Sequence, residues 1–394
     1  MLAALLSATE SQAYAQSSVT LYGIADASVQ YTNNVNVAES TGSKGHPIVY
    51  KNGSRVGMYS GGGLPDRWGL KGNEDLGGGL AAFFTLENGF NIGTGAAVSS
   101  TVEFNRQAFV GISSPYGSVS FGRQYEAITD LLEIYGPIAY AGGLGTFAGD
   151  VTNFDNNIRM NNSVKYKTPN IHGFTGEVVY GMGGVAGSLG TNSAVSAGVN
   201  YVQGGLAAGV AYLRMDNSAS TANTWASSAD SLFTSSVNTG FAGARSAQIV
   251  DATIRYDFGK FAVNADYGWV QYRPSSVSLF SHSEAFSAAG IGAQYWISPA
   301  LRVGAAYTYT RGQSVDGSAA SPQYQSVAFR TYYSLSKTTT LYFLAGYSHA
   351  KGSTLDAYGN VIAATATIGD SGNFGSNSAS NSQFLARVGV MKLF

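Results

Sequence analysis

The chain has 394 residues, a formal net charge of -1 and only 11% charged residues, less than half of the roughly 25% that is typical of soluble domains. No stretch has the roughly 18 consecutive apolar residues that a membrane-spanning helix needs. The near-neutral charge gives no reason to expect a nucleic-acid partner, and the absence of cysteine excludes disulfides and thiolate metal sites. This composition favours a transmembrane β-barrel, in which only alternate residues must be apolar.

Residues 1–15 resemble the remainder of a secretory signal. A short apolar run is followed by Ala13-Tyr14-Ala15, which fits a small-x-small cleavage site before Gln16. The basic start of such a signal is missing, so we expect a truncated signal and export of residues 16–394. The alternative is a disordered cytoplasmic N-terminus.

Apolar residues alternate with small or polar residues along most of the remaining chain, which is the period of a β-strand. Leu301, Val303 and Ala305 form one apolar row, for example, whereas Arg302 takes the opposite phase. Many such rows end in Tyr, Phe or Trp, as expected for an aromatic girdle at a membrane interface. The final segment alternates in the same way up to Phe394. We expect Phe394 to face lipid on the last strand and to act as an assembly signal.

Short and long connections alternate along the chain. The short ones are 73–79, 113–117, 169–173, 203–205, 259–260, 298–300 and 336–338. The long ones are about 33–60, 91–103, 125–162, 184–193, 217–246, 274–284, 312–323 and 351–381. Seven short turns and eight long loops imply about sixteen strands. We therefore predict an all-β, sixteen-stranded antiparallel transmembrane barrel, a single domain over 16–394, with an aqueous lumen.

Several cations take positions from which they would face that lumen. Arg67 and Lys71 oppose an outward tryptophan and leucine, and Arg106 opposes a phenylalanine. Arg159 lies where the longest inner-loop candidate returns to a strand. Arg123 shares the outward phase, so only a bulge or a strand end would turn it inward. Converging guanidinium groups attract anions, and we expect a basic constriction wall; the alternative is a set of independent water-facing cations.

Segment 125–161 is the longest connection between two short turns, and it combines glycine and apolar residues with five acids. The acids are Glu126, Asp130, Glu133, Asp150 and Asp155. A loop wholly in solvent does not need that apolar content, whereas a loop folded into the barrel packs one side on the wall. We therefore expect this third loop to lie in the lumen with its acids facing the opening. The alternative is an outer loop packed on a neighbouring subunit.

Six pieces of the chain, in order, carry a family resemblance. They are Ser18–Asp26, Arg67–Leu80, Asn105–Gly111, Gly117–Gln124, Arg159–Lys165 and terminal Phe394. Together they resemble Gram-negative general porins of the β-proteobacterial kind. The resemblance implies a homotrimer of sixteen-stranded barrels in the outer membrane, each with an inward third loop and a size-limited pore for small hydrophilic solutes and ions. It also implies an arginine cluster at positions that match Arg67, Arg106 and Arg159.

Three functions are compatible with this sequence. The first is a passive diffusion channel with mild anion preference. The second is a substrate-selective channel with a binding site at the constriction, which an aromatic or basic ladder would indicate; the sequence shows no continuous row. The third is a structural or adhesive barrel plugged by its third loop. Outer-membrane lipid and lipopolysaccharide are the expected surroundings, and acids of the outer loops could bind divalent ions weakly.

No enzyme, cofactor or specific metal site is expected. A membrane-embedded hydrolase would need a Gly-x-Ser-x-Gly elbow, which is missing. His46, His172, His282 and His349 are far apart and lack metal-site spacing. The stretch 143–148 superficially resembles a dinucleotide-binding loop, but no helix signal follows it.

Overall fold

The computed structural model describes residues 18–217, 225, 232–315, 320–369 and 376–394. The predicted signal remnant, residues 1–15, lies outside the described residues. No helix in the described ranges is both long and apolar enough to cross a membrane. The chain folds into β-strands, with short helical segments in the connecting loops.

The strands are β1 (Ser18–Ala38), β2 (Tyr50–Ser60), β3 (Arg67–Gly77), β4 (Leu80–Gly89), β5 (Gln107–Ser114), β6 (Gly117–Gln124), β7 (Met160–Lys167), β8 (Phe174–Gly181), β9 (Ala194–Gln203), β10 (Leu206–Asp216), β11 (Ser246–Asp257), β12 (Phe261–Arg273), β13 (Glu284–Trp296), β14 (Leu301–Gly312), β15 (Gln323–Ser334), β16 (Thr339–Lys351), β17 (Ser353–Leu355), β18 (Val361–Ala363), β19 (Thr367–Ile368), β20 (Ser376–Asn377) and β21 (Ser382–Leu393). The helices are α1 (Ala127–Leu131) and α2 (Ile138–Ala141), with 3-10 turns at Glu133–Tyr135, Gly142–Gly145, Ala148–Asp150 and Thr239–Phe241.

One antiparallel sheet closes on itself into a barrel. Each strand from β3 to β15 pairs with the next one along the chain, and β21 pairs with both β16 and β1. The long strand β1 pairs with β3 along its first half and with β2 along its second half. Because β2 and β3 share one strand position, the barrel has sixteen positions, which confirms the predicted architecture.

The predicted short turns all join adjacent strands, but the expected long first loop at 33–60 is wrong. Strand β1 continues to Ala38 and β2 begins at Tyr50. After an irregularity in register, Val35 and Val37 pair with residues of β2. Their alternation continues the pattern of β1, and the connection itself shortens to residues 39–49.

The wall is interrupted between β2 and β3, where Gly61–Asp66 leaves the sheet and turns into the lumen. The backbone N–H groups of Gly63 and Leu64 donate to one carboxylate oxygen of Asp26, at 2.7 and 2.9 Å. Since the peptide groups here have left the sheet, a side chain takes over as their acceptor. The sequence pattern did not predict this inward segment.

Side chains alternate between the outer face and the lumen. At the end of the chain, Val388, Val390 and Phe394 expose 60%, 43% and 54% of their surface outward, whereas Arg387 is buried on the inner side. Exposing such surface to water costs roughly 25 cal/mol per Å². A whole outer wall of this kind is therefore suited to lipid.

The third loop lies inside the barrel, as expected. Helix α1 packs on β9 and β10, where Ala127 faces Gly198 and Leu132 faces Gly209. A Cβ at Gly209 would lie 2.6 Å from a Leu132 methyl carbon, so the missing side chains on the wall provide the room for the loop. Helix α2 packs in the same way on β14 and β15.

Two further long loops cover the third loop from the side of the long connections. The amide of Asn238 donates to the carbonyl oxygen of Gly149 at 3.2 Å. The hydroxyl of Thr354 donates to the carbonyl oxygen of Val237, also at 3.2 Å. Buried apolar residues from all three loops form one core cluster with the wall. The third loop thus packs on the barrel wall on one side and on the two other long loops on the other side.

The seam between β1 and β21 generates a prediction for Phe394. Its backbone exchanges two hydrogen bonds with Gly23, at 2.9 and 3.1 Å, and its ring lies over the glycine. We expect Phe394→Ala to lower the yield of folded barrel in lipid vesicles, because the ring covers the point of closure. Phe329→Ala is the matched control, since Phe329 is also exposed outward, at 41%, on β15 away from the seam. Equal yields for both variants, measured by unheated gel electrophoresis, would contradict the assembly role.

Candidate pore constriction

A cavity of about 330 Å³ lies in the lumen between the third loop and the inner wall. The wall contributes four arginines, the loop contributes two acids, and both contribute aromatic and apolar side chains. The charged residues are Arg67, Arg106, Arg302, Arg330, Glu133 and Asp155. The others include Leu64, Pro65, Tyr125, Ile134, Ile138 and Tyr332. Arg67 and Arg106, which the sequence analysis places facing the lumen, therefore line one cavity together with Arg302 and Arg330.

Arg106 is the most firmly held of these cations. Its Nε donates to a carboxylate oxygen of Glu87 on β4 at 2.7 Å, and its Nη2 donates to the Tyr125 hydroxyl at 2.6 Å. The hydroxyl of Tyr22 donates to the other oxygen of Glu87 at 3.0 Å. Both partners of this ion pair are more than nine-tenths buried. Removing one member of such a pair costs about 3–5 kcal/mol, so the pair fixes the position of the guanidinium.

Arg67 begins β3, directly after the inward segment, and its Nε donates to the carbonyl oxygen of Pro65 at 3.1 Å. Arg302 on β14 and Arg330 on β15 face it from another part of the wall. Their guanidinium carbons lie 4.8 and 4.4 Å from the ring centre of Tyr332. Such cation–π contacts orient a guanidinium without neutralising it. Arg330 also donates to the carbonyl oxygen of Ala139 in the third loop.

Arg123 and Arg159 line a second cavity, of about 750 Å³, which shares Arg106 with the first. The register of β6 against β7 shifts between Gly122 and Gln124. This bulge turns Arg123 inward, and its Nε donates to the carbonyl oxygen of Asn105 at 2.8 Å. The guanidinium carbon of Arg159 lies 5.4 Å from the ring centre of Tyr125.

Lys71 lies apart from both cavities. It is exposed on β3, and its Nζ is 5.3 Å from the ring centre of Tyr22. Tyr22 in turn donates to Glu87, so Lys71 belongs to the same inner wall but sits closer to the short turns. The structure does not bring it into the constriction lining.

Two of the five loop acids line the constriction. Glu133 and Asp155 both face the smaller cavity. The side-chain amide of Asn156 donates to both carboxylate oxygens of Glu133, at 3.0 and 3.1 Å. The backbone N–H of Asp155 donates to Asp150 at 2.9 Å.

The expectation that all five acids face the opening differs from the structure at Glu126, Asp130 and Asp150. Glu126 is wholly buried and caps α1, accepting from the backbone N–H groups of Ile128 and Thr129. Asp130 pairs with Lys165 on β7. Asp150 is fully buried and accepts from loop donors. The reason is that a loop leaving its strands needs internal acceptors for its own backbone and side-chain donors.

Four residues of the constriction were not assigned to it from the sequence: Glu87, Tyr125, Arg302 and Arg330. Arg302 and Arg330 carry a readable signal, because both take the phase opposite to outward apolar rows on their strands. Glu87 and Tyr125 carry none, since their roles depend on contacts with Arg106 across the fold. With these additions, a basic row does line the path.

The charge balance of the passage is positive. Six arginines line the two cavities together, against the acids Asp66, Glu133 and Asp155, with Glu87 buried directly behind Arg106. In the described part of the chain, no group of three or more His, Asp or Glu side chains could hold a metal ion. The arrangement can therefore attract and orient anions.

Comparisons with known proteins agree with this architecture. A family model described as Gram-negative porin matches residues 2–353. An outer membrane porin of Bordetella pertussis is 33% identical over 228 residues, 55% of this chain and 59% of that protein. Outer membrane porin protein 32 of Delftia acidovorans is 37% identical over 181 residues, 44% of this chain and 46% of that protein. The chain thus spans about half the length of the curated relatives it matches.

Solved structures show the same fold. An anion-selective porin from Comamonas acidovorans superposes with a TM-score of 0.67 at 22% identity, covering 96% of this chain and all of that one. OmpT of Vibrio cholerae superposes with a TM-score of 0.62 at 15% identity, covering 96% of this chain and 98% of that one. At these identities the likeness concerns the fold alone.

Glu133 generates a prediction about pH. Burial within the loop raises the pKa of Glu133 to about 7, although Asn156 and nearby arginines oppose the rise. Below that pH the carboxyl is neutral and the passage is more positive; above it the carboxylate offsets one arginine. We therefore expect the anion-over-cation permeability ratio to rise as pH falls from 8 to 6, measured from reversal potentials in a salt gradient. Glu133→Gln should hold the ratio near its low-pH value. A pH step that persists in this variant would assign it to another group.

Proposed function

We propose that this chain, which belongs to the Gram-negative porin family, forms a water-filled pore for the passive diffusion of small hydrophilic solutes and ions, with a preference for anions. It is an outer-membrane protein, and porins are channels rather than enzymes. The observation that carries the proposal is the positive passage between the wall and the third loop. The anion-selective character of the structurally similar Comamonas porin agrees with it.

The electrostatic argument depends on which charges are locally cancelled. The Nε of Arg106 lies 2.7 Å from a carboxylate oxygen of Glu87. At a distance of several ångströms, a solute therefore experiences the pair as a dipole rather than as a net charge. Arg67, Arg302 and Arg330 form no ion pair in the described ranges. The screening length is about 8 Å at physiological salt, comparable to the size of the passage. These three arginines therefore set the sign of the field.

The second candidate, a substrate-selective channel, is favoured by one specific observation. The sequence alone shows no continuous row of basic residues, but the fold brings six arginines from separate strands along one path. A row of that kind supports a binding site as well as a field. A plugged structural barrel has no comparable support.

A homotrimer is part of the proposal. Strands β5 to β8 have eight residues each, whereas β11 to β16 have 12 or 13. A strand needs about 9–11 residues to span the hydrocarbon core. The side of the barrel formed by β5 to β8, called the short side, still exposes apolar residues such as Val110 and Phe121. Contact with neighbouring subunits would cover this apolar surface.

The side of the barrel formed by the long strands β11 to β16 is suited to contact with lipid and lipopolysaccharide. Three exposed cations lie at the ends of these long strands. Arg273 is the last residue of β12, Lys351 is the last residue of β16, and Arg311 is the second-last residue of β14. They lie at the side of the long loops, where anionic headgroups of the outer leaflet would meet them. Phosphate groups are natural partners for such cations.

The pore proposal is tested by planar-bilayer recording. We expect stepwise conductance and an anion-selective reversal potential in a KCl gradient. Arg67→Gln and Arg302→Gln should each reduce the anion preference, because each removes an uncancelled charge from the passage. Arg311→Gln is the control, since that arginine is exposed on the outer wall. Absence of conductance would overturn the pore, and cation preference in the unmodified chain would overturn the arginine argument.

The trimer is tested with two matched valines. Val110 on β5 and Val327 on β15 expose 57% and 53% of their surface outward. If the short side is the subunit contact, Val110→Arg should convert trimers to monomers in detergent, as measured by native mass analysis, while Val327→Arg leaves trimers intact. Loss of trimers in neither variant, or only in Val327→Arg, would place the contact elsewhere.

A further inference from the structure

We propose that the constriction binds anions that carry an apolar body, such as aryl or alkyl carboxylates, with Leu64 and Ile134 contacting the apolar body and the wall arginines holding the anionic group. The inference rests on the proposed function, because it names the class of solute that the pore retains. It differs from simple anion preference, which needs charge alone.

The first observation is that the inward segment presents Leu64 rigidly. The carboxylate of Asp26 accepts from Gly63 and Leu64 and also from the hydroxyl of Tyr342. Arg387 donates to the carbonyl oxygen of Gly62 at 2.9 Å. A segment tied down from two sides loses little freedom when a solute contacts it, which favours binding.

The second observation is that apolar surface faces water inside the lumen. Leu64 exposes 38% of its surface and Ile134 exposes 61%, and both line the smaller cavity. The two lie on the inward segment and on the third loop, so neither lipid nor a neighbouring subunit on the outer wall would cover them. Apolar side chains left in water are unfavourable by an amount proportional to their area. A solute with an apolar body removes that surface from water.

The third observation is that cations stand in the same cavity. Arg67 and Arg302 remain partly exposed to it, so each can donate to a carboxylate in the planar geometry that a guanidinium favours. The ring of Tyr332 lies beside Arg302 and adds a flat apolar surface. A volume of about 330 Å³ falls in the range of small-molecule sites, roughly 300–1,000 Å³.

Together these groups distinguish solutes of equal charge. Chloride and acetate engage the arginines but bury little apolar surface. Benzoate engages the same arginines through its carboxylate and covers Leu64 and Ile134 with its ring. The pore should therefore retain benzoate longer than acetate, and the retained anion should interrupt the chloride current.

The experiment measures block of single-channel chloride current by benzoate and by acetate in planar bilayers. We expect benzoate to block the unmodified chain at a concentration at least about ten-fold lower than acetate. Leu64→Ser and Ile134→Ser should each weaken the benzoate block by about five-fold, which corresponds to the loss of part of one apolar contact. The reversal potential in KCl should stay unchanged in both variants, because no charge is altered. Leu189→Ser is the control, since Leu189 is 89% exposed in an outer loop.

The outcomes separate this inference from the pore proposal. If the chain conducts and prefers anions, but benzoate blocks no better than acetate, the apolar site is wrong and the pore stands. The same holds if Leu64→Ser and Ile134→Ser change only the conductance, which would make these residues steric obstacles. Ile134 is largely exposed, so its replacement leaves the fold intact even where Leu64→Ser does not. Absence of conductance in the unmodified chain would instead overturn the proposed function.

Discussion

A peptide group that meets hydrocarbon without a hydrogen-bond partner costs several kcal/mol, and this constraint governs the barrel. Closure of β21 on β1 supplies the last ladder of partners. The interruption of the wall at Gly61–Asp66 bends inward rather than outward. There the carboxylate of Asp26 accepts the N–H groups that a neighbouring strand would otherwise satisfy. The same constraint that closes the wall therefore also decides the side on which an irregular segment can lie.

The third loop meets the constraint by a different route. It has left the sheet, so its donors depend on acids that the loop itself carries. Glu126 receives the N–H groups at the start of α1, the amide of Asn153 at 2.8 Å and the hydroxyl of Ser196 at 3.3 Å. Glycines on the wall then let the loop approach closely enough to bury its apolar side. The result is a rigid crossing of the lumen, and this rigidity lets a few side chains define a passage.

Periodicity predicts most of this fold because alternation and turn spacing are local properties of the sequence. It gives most strand positions and the inward phase of Arg67 and Arg106, and the apolar content of segment 125–161 gives the inward third loop. It misses what depends on distant partners. The inward turn of Arg123 results from a bulge in the register of β6 against β7. The acids of the loop differ in role although they look alike in the sequence, because a carboxylate that caps a buried helix and one that faces water are distinguished only by packing.

The passage combines two interactions that act over different distances. The field of the arginines extends beyond direct contact, since the screening length is about 8 Å at physiological salt. Contact with Leu64 and Ile134 acts only when surfaces touch. In the proposed pore, an anion is therefore drawn in by charge before its shape or polarity matters, and the apolar surface then sets how long it stays. A pore with the arginines alone would select by sign. The inward segment adds selection by apolar surface, because it places Leu64 beside the arginines. Leu64 carries no charge, so it leaves the positive field that attracts the solute unchanged.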